Sequence, residues 1–380
     1  MISASDRIIL RELARRVADI AAMPVQAERR ALWKKHNVLQ PVRPMIMVFP
    51  EGSWRELLPQ SALRCAGEAA RGHEYTLRAR LYKHDHIGDD EPTTREWKVA
   101  KAFSNTGWGL ERKRIESPMQ HGAWHFDPVI DSAADLKKLR VPEIALDEPE
   151  TQRRLTEAQE LFGDILDVKR VGVQHLSFHL WSLYTGWRGL EQGMMDMYEE
   201  PQMLHDAMAF LERGHHELIR QYRELGLLTL NNDGSYQNSG GISYSDELPA
   251  KDFDGTHVRC RDLWASAEAQ ELAQVGPDQH AEFALAYERR LLEPFGLTGY
   301  GCCEDLSRTL NHVCPSPTCA ASPSRPLPMW IAALPSWPAS TSSRGNRSPR
   351  TSSAISTSRT SGNTSATRWK SRKPTAACWR

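Results

Sequence analysis

One pattern recurs along this chain and narrows its fold more than any other: an amphipathic helical stretch, a short apolar run, then a polar loop. Residues 201–225 place Leu204, Met208, Leu211, His215, Leu218, Ile219 and Tyr222 at helical spacing, with Pro201 at the start and Gly226 as the stop. Leu227-Leu228-Thr229-Leu230 comes next as a buried strand, and Asn231-Asn232-Asp233-Gly234 as a loop. The order returns in 278–294, a helix around Phe283, Leu285, Tyr287, Leu291 and Leu292, then a strand from Leu297 to Tyr300, then Gly301-Cys302-Cys303-Glu304. A third instance runs from the strand-like 168–173 through Gln174-His175 into a helical stretch containing Trp181 and Tyr184. Such units predict an α/β fold with parallel strands arranged as a barrel, whose chemistry lies where the strands end.

The pattern stops near Cys314. Residues 314–380 hold ten Lys/Arg and no Asp/Glu, which leaves 38 basic and 48 acidic side chains for the first 313 residues, so the neutrality of the whole averages two unlike parts. This stretch is crowded with Ser, Thr, Pro, Ala and Arg, yet holds Trp330, Trp337, Trp369 and Trp379, residues that disordered segments usually lack. A GC-rich gene read out of frame yields this composition. Shifting the frame by one base forces Met329-Trp330-Ile331 to Val-Asp, Trp337-Pro338 to Ala and Trp369-Lys370 to Glu, so acidic residues return. The expectation is a frameshifted, disordered segment over 314–380, with one short insertion or deletion near the codons for Leu310 to Pro315. An early stop in the alternative frame would leave a genuine Ser/Arg-rich tail and a nucleic-acid reading instead.

The chain divides into three segments: an N-terminal helical part over 1–40, a barrel over 41–313 that is incomplete at its C-terminal end, and the 314–380 tail. The first 22 residues are amphipathic and interrupted by Arg7, Arg11, Arg15, Arg16 and Asp19, which is no secretory apolar region. No stretch reaches the roughly 18 apolar residues of a membrane span, and a cytoplasmic protein without membrane partners is expected. Cys65, Cys260, Cys302 and Cys303 are too few and too unevenly spaced for a disulfide scaffold. Residues 84–147 read as an elaborated loop with a small subdomain, and 231–257 as a loop long enough to line a site.

Thr106-Gly107-Trp108-Gly109, Leu230 to Gly234, Gly240-Gly241 through Asp246-Glu247-Leu248-Pro249, and Tyr300-Gly301-Cys302-Cys303-Glu304, within a stretch from about Ile46 to Leu310, together resemble the uroporphyrinogen decarboxylase superfamily, in particular its decarboxylase-like and corrinoid-methyltransferase-like branches. The resemblance implies a TIM (β/α)8 barrel. It also implies closing strands after the cysteine motif, which the shifted frame supplies. The Arg-Gln-Ala-Gly-Arg-Tyr motif with which true uroporphyrinogen decarboxylases hold porphyrinogen acids is absent. Where methyltransferases of the superfamily bind zinc through a His-x-Cys pair, Tyr300 stands in the His place before Cys302.

The candidate residues each have a functional and a structural reading. Cys302 or Cys303, with Glu304 and a distant His, offers a metal site with an open position, or else two buried small residues at a strand end. Asn231, Asn232 and Asp233 offer amides to orient a substrate and a carboxylate base, or else an Asx turn before Gly234. His175 and, more weakly, His179 are ligands or satisfied core histidines. The cluster His84, Asp85, His86, Asp89 and Asp90 reads best as a solvated loop, and His215-His216 as structural. The expected function is a zinc- and corrinoid-dependent methyltransferase acting on a small methylated substrate, its corrinoid carried by a partner protein. The alternatives are a decarboxylase of uroporphyrinogen or another small acid, and a non-catalytic binding protein. No nucleotide cofactor is indicated, since no phosphate-binding glycine loop is present.

Overall fold

The fold is known from a computed structural model that describes residues 2–38, 40, 42–119, 122–237 and 241–313, and the backbone of 329–331. It is mixed α/β. The chain opens with α1 (Ala4–Ala21), capped by the Ser3 hydroxyl that accepts from Asp6 N at 3.1 Å, and α2 (Pro24–Asn37), whose proline at the first turn costs no hydrogen bond. A short α3 (Trp54–Leu57) precedes α4 (Glu68–Tyr82). Leu10, Leu13, Ala14 and Val17 of α1 are buried in one cluster with Leu77 and Leu81 of α4, so the N-terminal helical part shares a core with the region expected to be barrel.

The region read as elaborated loop carries five short strands joined by loops and a 3-10 turn. It holds β1 (Glu96–Ala100), β2 (Ala102–Asn105), the exposed hairpin of β3 (Lys113–Ile115) and β4 (His125–Asp127), and β5 (Ile144–Asp147), which pairs antiparallel with β2. Next, α5 (Glu148–Phe162) starts at an Asp147 cap that accepts from Glu150 N at 2.9 Å, and β6 (Asp167–Val171) pairs parallel with β1. After β7 (Ser177–Phe178) come α6 (Leu180–Arg188), α7 (Leu190–Glu199) and the long α8 (Pro201–Glu224). Helix α8 ends before Gly226 at φ +60, a left-handed stop suited to glycine, and Gly214 on it lies under the Trp108 ring, where an added Cβ would sit 2.4 Å from the indole.

The rest alternates as expected. β8 (Trp264–Ala267) is buried along its whole length; α9 (Pro277–His280), a π-helical turn over Ala281–Leu285 and α10 (Ala286–Leu292) make one interrupted helix; β9 (Leu297–Tyr300) and α11 (Leu310–Val313) come after it. β10 (Met329–Ile331) pairs parallel with β9, so three residues of the 314–380 segment extend the sheet. Everything else expected of that segment, including its reading frame, lies outside the described residues. β7, β8, β9 and β10 form one parallel sheet, Val173 bridges Leu228 in parallel, and among the described residues these strands and the β1–β6 pair form no closed ring. The core beneath the larger sheet joins Trp181, Tyr184, Leu204, Met208, Leu211, Phe283 and Leu291. No helix among the described residues is long and apolar enough to cross a membrane.

Candidate functional site

Three neighbouring parallel strands deliver polar side chains at their C-terminal ends. β7 is followed by His179, β8 by Glu268, and β9 by Gly301-Cys302-Cys303-Glu304. Such ends face one way because parallel strands share a direction, which places the groups together. His179 Nδ1 bonds Glu268 Oε1, whose carboxylate is fully buried, and Glu268 Oε2 accepts from Gln270 N at 2.8 Å. The Glu304 carboxyl folds inward: Oε2 accepts from Cys302 N at 2.7 Å and Oε1 from Ala269 N at 3.4 Å. Glu304 therefore abuts the end of β8, next to Glu268. Burial raises its pKa, and the Glu268 charge adds to the shift.

Glu271 completes the acidic group. It is half-buried with Oε2 lacking a hydrogen-bond partner, and burial, helped by Glu268 and Glu304, pushes its pKa up to about 7. A carboxyl in this range can give or take a proton at neutral pH. Behind it, Tyr300 donates to Glu288 Oε2 at 2.7 Å, and the Tyr300 oxygen lies 3.1 Å from His280 Nε2. Burial drops His280 to about 4, so it is neutral, and with the Tyr300 proton committed to Glu288 the His280 Nε2–H donates to Tyr300. Glu288 is fully buried, and burial raises its pKa well above the ordinary carboxyl range.

The residues singled out in the sequence divide into separate groups. Asn231 is buried and ties strands together: Nδ2 donates to Gln174 O at 2.8 Å and Trp264 O at 3.0 Å, and Oδ1 accepts from Trp264 N at 2.9 Å. Asn232 donates to Leu248 O at 2.6 Å and Ser245 O at 3.3 Å, which pins the loop beyond Gly234. Asp233 pairs with Lys98 at 3.1 Å and accepts from Ser235 Oγ at 2.8 Å. His175 is exposed, with Nδ1 3.2 Å from Tyr236 O and its ring 2° from parallel to the Tyr236 ring, which in turn lies 4.8 Å from Phe49. Cys302 is half-buried, Cys303 exposed, and their sulfurs are 3.6 Å apart.

Asn231→Ala removes three hydrogen bonds, two of them buried, and leaves Gln174 O with only its bond from Gln237 Nε2, so it should cost about 2–4 kcal/mol of stability. A urea midpoint unchanged from wild type would contradict that role for Asn231.

Glu268, Glu271, Glu288 and His280 escaped the sequence reading. For three of them a signal was present. Glu268 ends the run Leu263-Trp264-Ala265-Ser266-Ala267, and His280, Ala284 and Glu288 recur at four-residue spacing on the apolar face of the 278–294 helix, where an acid is costly unless used. Zinc finds a partial donor set. Two thiols at 3.6 Å are spaced to share one ion, but both Glu304 oxygens accept backbone N–H groups. Among the described residues no group of three or more His, Cys, Asp or Glu side chains is arranged to hold a metal. The residues described do not make a complete zinc site.

Comparison with protein-family models, curated proteins and solved structures returned no match. The chemistry open to the site therefore rests on its own groups.

Proposed function

We propose that the chain is an enzyme on the pattern of the uroporphyrinogen decarboxylase superfamily, a cytoplasmic TIM barrel whose strand-end site moves a proton to a small carboxylic-acid substrate during decarboxylation. The supporting observation is Glu271, a carboxyl with an unpartnered buried oxygen beside the His179–Glu268 pair at the ends of adjacent parallel strands. The C–COO⁻ bond of the substrate breaks and its electron pair stays on carbon. CO2 leaves, and that carbon takes the Glu271 proton. Glu268 holds His179 in place, and the imidazole can relay a proton from solvent back to Glu271 for the next turnover.

The full chain should release CO2 from uroporphyrinogen or from a panel of small pyrrole and β-keto acids, and in D2O should place deuterium on the carbon that lost it. No CO2 from any of them would leave the reading without support, and a binding protein would then be the better account.

A second reading, methyl transfer with a corrinoid carried by a partner protein, draws on the paired thiols of Cys302 and Cys303. It requires further zinc ligands beyond those two sulfurs. Purified protein should then carry about one zinc per chain, and Cys302→Ala with Cys303→Ala should lose both metal and methyl transfer. Metal-free protein with thiol variants of unchanged activity rules this reading out.

A further inference from the structure

A cavity lies away from the strand-end site, over β1 and between α4 and α5, with a volume of about 620 Å3. Ligand pockets commonly run about 300–1,000 Å3, so it is large enough for a small organic molecule. One wall is a single stripe of α4, Ala69, His73, Thr76 and Arg80, at the four- and three-residue spacing that puts side chains on one helical face. The opposite wall is Arg153, Arg154 and Glu157 of α5, and the floor is β1, where Trp97 lies 5.3 Å from the His73 ring.

The charge in this cavity is unevenly matched. Arg80 donates through Nη2 to Glu96 O at 3.0 Å and Thr94 Oγ1 at 3.3 Å, while its Nη1 is buried without a hydrogen-bond partner. A guanidinium with an unmade bond costs free energy that an anionic acceptor would offset once the side chain turns out of its buried position toward the cleft. Arg153 and Arg154 both hold Glu150 on the exposed side of α5, pairs of a kind worth little, so either can turn toward a ligand at small cost. Glu96, one of the two lining carboxylates, is already answered by Lys169 across the β1–β6 pair. Glu157, the other, pairs with Arg153 at 3.1 Å, which leaves Arg80 as the lining cation without a carboxylate partner among the described residues, above an aromatic and aliphatic floor.

We propose that the cleft between α4 and α5 binds a small amphiphilic anion, a carboxylate or phosphate ester on an apolar body, with Arg80 facing the anionic end. None of the strand-end residues lines it, so the site is independent of the decarboxylase reading. Trp97 and Val99 take the apolar part, and His73, kept neutral by burial, adds a hydrogen bond at the rim.

Calorimetric titration of the full chain with phenyl phosphate, benzoate, inorganic phosphate and phenol tests this. One of the two aromatic anions should saturate a single site, the stronger identifying the headgroup, with phenol and inorganic phosphate each weaker by about 10–100-fold. Arg80→Gln should weaken the anion by a similar factor. Thr76→Phe, introduced at an exposed position of α4 and projecting into the cleft, should abolish binding even if the Arg80 variant fails to fold. Glu271→Gln should leave it unchanged. Equal binding of phenol, no saturable anion binding, or full affinity in Thr76→Phe would overturn the proposal.

Discussion

Glu271→Gln is expected to lower turnover at pH 6 by about 10²–10⁴-fold, the usual contribution of a positioned general acid. The amide keeps the shape of the side chain and cannot give up a proton at any accessible pH. Because burial pushes the Glu271 carboxyl up to about 7, wild-type turnover should be level below that value and fall as the pH rises through it. In the glutamine variant the residual rate should lose that limb. A purely structural Glu271 would leave the pH profile intact and move only the overall rate.

The same substitution should make the protein more stable in mild base. Folding raises the Glu271 pKa from the ordinary 4.5 to about 7, so between these values the folded state holds more protons than the unfolded one. Stability from this group is fully present below 4.5, declines as pH rises through the window and is gone above 7. At pH 8 the folded protein must keep an ionised carboxylate in a half-buried place among Glu268 and Glu304. Replacing it with a neutral amide should recover about 1–3 kcal/mol at that pH and little at pH 4. Activity and stability therefore move in opposite directions, and a variant that loses both would point to misfolding instead of lost acid chemistry.

Much of the fold was legible because it is written in apolar spacing. The 201–225 stripe became α8, and Leu297–Tyr300 became β9 with the expected boundaries. Residues 84–147 concealed their strands because β1 is short and alternates Glu96, Lys98 and Ala100 with the buried Trp97 and Val99, a half-polar pattern that reads as loop. The strand expected over 227–230 reduces to the single bridge of Leu228 to Val173, because Asn231 spends its amide on Trp264 and Gln174 and takes over part of the pairing. At the site, strand ends were found from sequence and partners were not. Cys302 and Glu304 stood out as a motif, but which atoms Glu304 accepts depends on how close the end of β8 comes, 35 residues earlier in the chain. His179 looked weaker than His175 for the same reason. Its partner Glu268 is 89 residues away and nothing local announces it.

The largest stability effect should come from a group that never touches the site. Asp196 on α7 is fully buried and accepts from Arg188 Nε and Nη2, both at 2.8 Å, from Tyr184 OH at 2.6 Å and from Gln192 Nε2 at 3.1 Å. Burial alone would raise its pKa, but Arg188, Tyr184 and Gln192 together hold it below the ordinary carboxylate value. Asp196→Ala leaves the Arg188 guanidinium buried with only Ile130 O and Asp131 O as acceptors, and should cost about 3–5 kcal/mol. Removing both charges, as in Asp196→Leu with Arg188→Met, should recover a good part of that loss, since the stranded charge and not the missing pair carries most of it. The folded pKa is depressed, so the stabilisation is present above the ordinary 3.8 and is lost as pH falls through the lower folded value, adding to acid unfolding. His179 sits at the start of α6, and the Tyr184 and Arg188 contacts fasten that helix to α7, so the single variant should also loosen the histidine from Glu268 and reduce turnover. Urea midpoints for the single and double variants decide the matter: a single variant within about 1 kcal/mol of wild type would mean that the ion pair is replaceable by water and that α6 is held by its apolar face alone.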